Sequence, residues 1–141
     1  MPDFSVNFTH VALIALANFL LSWFWYSNLG LGKAWAHALK WPKDRMQTMS
    51  AADKKRMPLL MGMGLLSSYL KILVLAAFVA GFNAQSFLAG VMVGLLAWLG
   101  FTLTASLDTL WEGRSGQVLL INNGLFALTY SVFGGILALW R

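Results

Sequence analysis

Lys71 lies inside the apolar run 58–81, roughly ten residues, or about 15 Å of helix, before Gly81. An ammonium at such depth in hydrocarbon costs at least about 2.5–3.5 kcal/mol, so it is expected to face a bundle interior or a wet cavity. Helical spacing puts Gly64, Ser67 and Ser68 on its face. Asn18, in the first apolar run, falls at a similar depth. No carboxylate matches that depth, because Asp108 and Glu112 sit at the edge of the third run and Asp3 precedes the first. The amine is then neutral, hydrated, or paired in trans within an oligomer. Lys71, Asn18, Ser67 and Ser68 can line a cavity or a solute path. The plainer alternative is helix-to-helix hydrogen bonding worth about 0.6 kcal/mol each.

A second group shares another depth: Trp25, Tyr26, Lys33, Asp108, Glu112, Arg114, Asn122 and Asn123. They are expected either to form a charge-paired collar holding a loop, or a polar mouth for a small solute or lipid headgroup. Standard catalytic patterns are missing. The chain has no cysteine, so thiolate metal sites and disulfides are excluded. His10 and His37 fall at opposite ends of the expected bundle and cannot share a metal. Gly113-Arg114-Ser115-Gly116 lacks the spacing of a nucleophile elbow. No enzymatic activity, no cofactor and no metal are expected.

The elements that must position these residues follow from composition. Of 141 residues 59% are apolar and 11% charged, against about 45–50% and about 25% in soluble domains. Lipid is the natural solvent for such a chain. Four runs, 7–28, 58–81, 86–107 and 117–140, reach the roughly 20 residues that a bilayer core requires. The expected fold is all-α: one domain, an integral membrane bundle of four transmembrane helices with a short interfacial amphipathic helix. The first run is expected to be retained, since Asp3 precedes it without Lys or Arg and it ends in Trp23-Phe24-Trp25-Tyr26. The first, third and fourth runs also carry a polar or small stripe each. They are His10, Asn18, Ser22 and Tyr26; Gly90, Gly94, Ala97, Phe101, Thr104 and Asp108; and Asn122, Asn123, Thr129 and Tyr130. Gly90 and Gly94 permit close helix packing.

The connections differ in kind. Residues 82–85 make a tight turn, 108–116 a short charged loop, and 29–57 a long polar loop. Within the long loop, Trp35, Ala38 and Leu39 share one helical face while Lys33, His37 and Lys40 take the other, which suits the headgroup region. Pro42 fits the first turn of a following segment. Ser50 followed by Asp53 reads as a helix start running into the second span, with Pro58 kinking it. Net charge is +5, yet seven of the ten Lys and Arg lie between Lys33 and Arg56, which fits orientation rather than nucleic-acid binding. The positive-inside rule puts loops 29–57 and 108–116 in the cytoplasm and both termini outside. The expected location is the cell's inner membrane, with anionic headgroups against the basic loop 33–56.

The run Trp25-Tyr26-Ser27 and Leu29-Gly30-Leu31-Gly32-Lys33-Ala34-Trp35 resembles the signature of the DUF1761 membrane proteins of bacteria and fungi. So do Met57-Pro58-Leu59-Leu60, Trp98-Leu99-Gly100-Phe101, and Trp111-Glu112-Gly113-Arg114 followed by Leu119-Leu120-Ile121-Asn122. Leu31 stands where that pattern usually has Phe, and Asn122 where an Asp is common. The resemblance covers nearly the whole chain and implies a small four-helix membrane protein whose biochemical role is uncharacterised. Four helices enclose only a modest interior, so a homo-oligomer or a place in a larger membrane complex is expected. The leading functional expectation is a non-enzymatic binding, structural or accessory subunit. The alternative is a small-solute or ion transporter or channel with Lys71 and Asn18 on the path.

Overall fold

A computed structural model describes residues 5–42 and 49–140, and the described residues form four long helices and one short one. Asp3, Lys43, Arg45 and Arg141 lie outside the described residues. The elements are α1 (Phe8–Trp25), α2 (Gly32–Ala38), α3 (Ala51–Gly81), α4 (Phe87–Asp108) and α5 (Gly116–Leu139). No strand occurs among the described residues. The long helices contain 18, 31, 22 and 24 residues and are apolar enough to cross a membrane, as in a multi-pass membrane protein.

Each long helix starts on a polar side chain that accepts from an otherwise orphaned N–H. Asn7 accepts from Thr9 and His10, Ser50 from Asp53, Ser86 from Ala89, and Ser115 from Gln117. The Ser50–Asp53 start is thus observed, and α3 runs without a break through Pro58. The interfacial helix forms as α2, with Lys33, His37 and Lys40 exposed while Trp35, Ala38 and Leu39 are partly covered.

The core gathers toward the end of the bundle where α1 begins and α5 finishes, here the terminal end; α2 and Ser115 mark the loop end. Val11, Ile14 and Ala15 of α1 meet Ile72, Leu75 and Val79 of α3 and Phe133 and Leu137 of α5. Leu13, Leu16, Leu20 and Phe24 of α1 face outward and are about half exposed. That uninterrupted apolar exterior matches lipid as the surrounding solvent.

The most extensive helix pair is α4 with α5. Gly90 and Gly94 are buried, and a Cβ at either would strike a backbone carbonyl of α5, that of Gly134 or Tyr130. Gly134 answers from the other side, where a Cβ would meet the Gly90 carbonyl. Backbone therefore meets backbone across this seam, as small residues allow. The close packing expected of Gly90 and Gly94 is spent within one chain.

The stripe expected along the third span is corrected beyond Ala97. Residues Trp98–Leu103 form a π-helical turn before α-helix resumes at Thr104. A π turn spends an extra residue, which rotates all that follows by about 100° relative to a 3.6-residue helix. Gly90, Gly94 and Ala97 are buried, whereas Phe101, Thr104 and Asp108 are exposed. Side-chain hydroxyls feed the irregular ladder: Thr104 donates to the carbonyls of Gly100 (2.8 Å) and Phe101 (3.3 Å), and Ser106 to that of Thr102 (2.6 Å).

Candidate functional site: a polar relay and a groove ending at Lys71

At mid-bundle, three helices are tied by a relay of hydrogen bonds. The Thr129 hydroxyl donates to Asn18 Oδ1 (2.8 Å), Asn18 Nδ2 donates to Ser68 Oγ (2.6 Å), and the Ser68 hydroxyl donates to the Ala15 carbonyl (2.7 Å). Asn18 and Thr129 are fully buried and Ser68 nearly so. The relay runs in one direction, each hydroxyl or amide donating onward. Buried polar groups satisfied in this way avoid the desolvation cost that an orphan would carry. Of the four intramembrane candidates, Asn18 and Ser68 thus meet directly, and α5 contributes Thr129.

Lys71 and Ser67 are not part of the relay. They line a laterally open groove of about 600 Å³ between α1, α3 and α5, whose floor carries Gly64 and Ser68. On α3 the lining residues Met57, Leu60, Met61, Gly64, Ser67, Ser68 and Lys71 recur at the spacing of one helix face. From Met57 to Lys71 this face extends about 21 Å. Lys71 Nζ lies 4.7 Å from the centroid of the Phe126 ring, a cation–π contact. The sole ion pair among the described residues is Arg114 with Glu112, at 3.3 Å on the surface. No carboxylate therefore neutralises Lys71 among the described residues. Beyond Lys71 toward the terminal end, Ile72 and Leu75 are fully buried, closing the interior with an apolar layer.

The loop end of the groove is an aromatic knot. Trp25 Nε1 donates to the Ile121 carbonyl (3.1 Å) while its ring lies over Gly124, and the Tyr26 hydroxyl donates to Asn122 Oδ1 (2.8 Å). After α1 the chain folds back tightly. Leu31 N–H bonds the Trp25 carbonyl (2.8 Å) and Gly32 N–H the Ser27 carbonyl (3.0 Å). Side chains at Gly30 or Gly32 would collide with carbonyls of residues 24–27, so both positions need glycine. The fold-back sets Trp35 against Tyr26 (ring centroids 4.8 Å) and Trp41 (4.9 Å). Trp35 Nε1 is the one buried side-chain nitrogen or oxygen without a hydrogen-bond partner among the described residues, and Trp35 lines the groove.

The other candidates at this depth separate. Asn123 turns toward α4, where its Oδ1 accepts from Trp98 Nε1 (3.3 Å) and its Nδ2 donates to the Leu119 carbonyl (3.0 Å). Lys33 and Asp108 are exposed, as is the Arg114–Glu112 pair. A second open groove, about 440 Å³, lies between the lower half of α4 and α5 and is lined by Thr102, Ser106, Arg114, Asn122 and Asn123. Phe126 lines both grooves. Sequence reasoning missed its role, although a phenylalanine near a buried cation carries a signal once depths are matched. It also passed over Trp35 as a groove residue; the signal was the Gly-x-Gly that brings α2 back under α1.

With this geometry described, comparison with known proteins adds a family and no activity. The model of the family described as "Protein of unknown function (DUF1761)" matches residues 9–138. No curated protein and no solved structure matches the chain.

Proposed function

We propose that this chain, which belongs to the DUF1761 family, is a non-catalytic membrane protein that holds a small amphiphilic molecule taken laterally from the bilayer. The groove that ends at Lys71 carries this reading. Its volume of about 600 Å³ sits within the range of ligand sites, roughly 300–1,000 Å³. Its walls are mostly apolar, with few polar groups, the usual balance of a small-molecule site. A lysine kept without a carboxylate partner in a span is costly unless something else repays it.

The test is native mass spectrometry of the protein extracted from its own membranes in mild detergent. A stoichiometric small molecule on the wild type, absent from a Gly64→Leu variant whose new side chain fills the groove floor, supports the reading. A wild type that carries nothing beyond exchangeable bulk lipid overturns it. The basic loop 33–56 is proposed to face the cytoplasm and its anionic headgroups. Association with further protein is part of the same proposal, because no α3 residue before Ser68 is buried.

A second reading, solute transfer, draws on Phe126. One ring lines both the lipid-facing groove and the groove beside Arg114, so its rotation would join them. Flux through reconstituted vesicles that rises in a Phe126→Ala variant would favour transfer over simple holding.

A further inference from the structure

Most polar atoms lining the groove are already committed. Ser22 donates to the Asn18 carbonyl (2.8 Å), Ser27 to the Phe24 carbonyl (2.7 Å) and Tyr26 to Asn122 (2.8 Å). Asn18 and Ser68 satisfy each other within the relay. Besides the exposed Trp23 indole, three lining groups have no hydrogen-bond partner among the described residues: Lys71 Nζ, the Ser67 hydroxyl and Trp35 Nε1. Two of the three can only donate, and the third donates readily. Lys71 and Ser67 are four residues apart on one face of α3, so their side chains are neighbours, about 5–6 Å apart at Cβ. Trp35 lies at the other end of the apolar face, toward α2.

A site whose free groups are mainly donors, one of them positively charged, favours an acceptor with negative charge. We propose that the groove binds a single-chain amphiphilic carboxylate, its anionic head held by Lys71 and Ser67 and its hydrocarbon chain along Met61, Leu60 and Met57 toward Trp35. This rests on the binding function proposed above and names its ligand class. The carboxylate supplies the counter-charge that the described residues withhold from Lys71, and a charge-assisted pair in low dielectric is strong. The α3 face of about 21 Å matches one extended chain lying along it.

The experiment adds palmitate, hexadecanol and hexadecylamine in turn to delipidated protein in one detergent and follows retention by native mass spectrometry. Wild type is expected to retain palmitate at one per chain and at least tenfold better than either of the others. Lys71→Met is expected to lose that preference while still taking hexadecanol, and Lys71→Arg to keep it. Removing a buried charge does not weaken folding in lipid, so a melting temperature of Lys71→Met equal to or above that of the wild type shows that the loss is local. Equal retention of palmitate and hexadecanol by wild type overturns the carboxylate assignment and leaves the groove as a binding site. Retention of none of the three overturns the binding function as well.

Discussion

The hydroxyl of Thr129 in α5 hydrogen-bonds the side-chain carbonyl of Asn18 in α1 at 2.8 Å, across 111 residues of sequence. Asn18 in turn reaches Ser68 of α3, so one amide joins three helices. Removing the two ends of this contact should differ in cost. Thr129→Val keeps shape and loses one interhelical bond, an expected loss of about 0.6 kcal/mol and at most about 1.7 kcal/mol. Asn18→Ala strands the Thr129 hydroxyl in a dry site and leaves Ser68 only its bond to the Ala15 carbonyl, and is expected to cost about 1–3 kcal/mol. Unfolding in mixed micelles measures both, and the double variant should lose less than the sum. Strict additivity would mean the two side chains do not share a bond.

The seam between α4 and α5 predicts a sharp contrast between glycines. Gly94→Val would drive side-chain atoms into the Tyr130 backbone, which cannot move aside, so the yield of folded protein should collapse. Gly100→Ala should leave melting unchanged or raised, since nothing lies within 4 Å of a Cβ built there. Circular dichroism melts of the two variants in detergent provide the check, and similar behaviour would contradict the seam.

Two tryptophans at the loop end should respond differently to the same change. Trp25→Phe removes the bond to the Ile121 carbonyl and is expected to lower stability by about 1 kcal/mol. Trp35→Phe removes an indole N–H that has no partner, so stability should hold or rise slightly. Thermal melts compare them directly. An equal loss at Trp35 would reveal a hydrogen bond that the ring makes in the membrane.

Orientation is testable because the chain contains no cysteine. Gln117→Cys and Gln85→Cys place single exposed thiols at opposite ends of the bundle. With the basic loop inside, a membrane-impermeant maleimide added to intact cells should label position 85 and spare position 117 until the membrane is opened. The reverse pattern would invert the proposed topology.

Much of this fold is legible because hydrophobic length is a coarse, robust signal. The four spans, the Ser50 start and the amphipathic α2 follow from run length, cap residues and 3.6-residue spacing. Asn18 and Ser68 could be placed at a common depth by counting residues from helix ends, and they touch. Depth alone does not give azimuth, and there the reading stops. It grouped Asn122 with Asn123, yet adjacent residues on a helix point about 100° apart, and the pair serves opposite neighbours. The stripe from Gly90 to Asp108 presumed regular winding, and the π turn at Trp98–Leu103 breaks it. The hydroxyls of Thr104 and Ser106 that bond back to carbonyls there are a side-chain detail that periodicity does not encode.

The π turn also bears on how chain length is shared out in this span. A one-residue surplus is absorbed between Trp98 and Leu103, leaving the glycine seam above it in register and turning the stretch below. Deleting one residue there would straighten the winding and swing Thr104 and Asp108 toward α5. A carboxylate would then enter the groove that Arg114 and Asn122 now line. One codon lost at this point would thus add an acidic group to a wall that now carries Arg114 and Asn122.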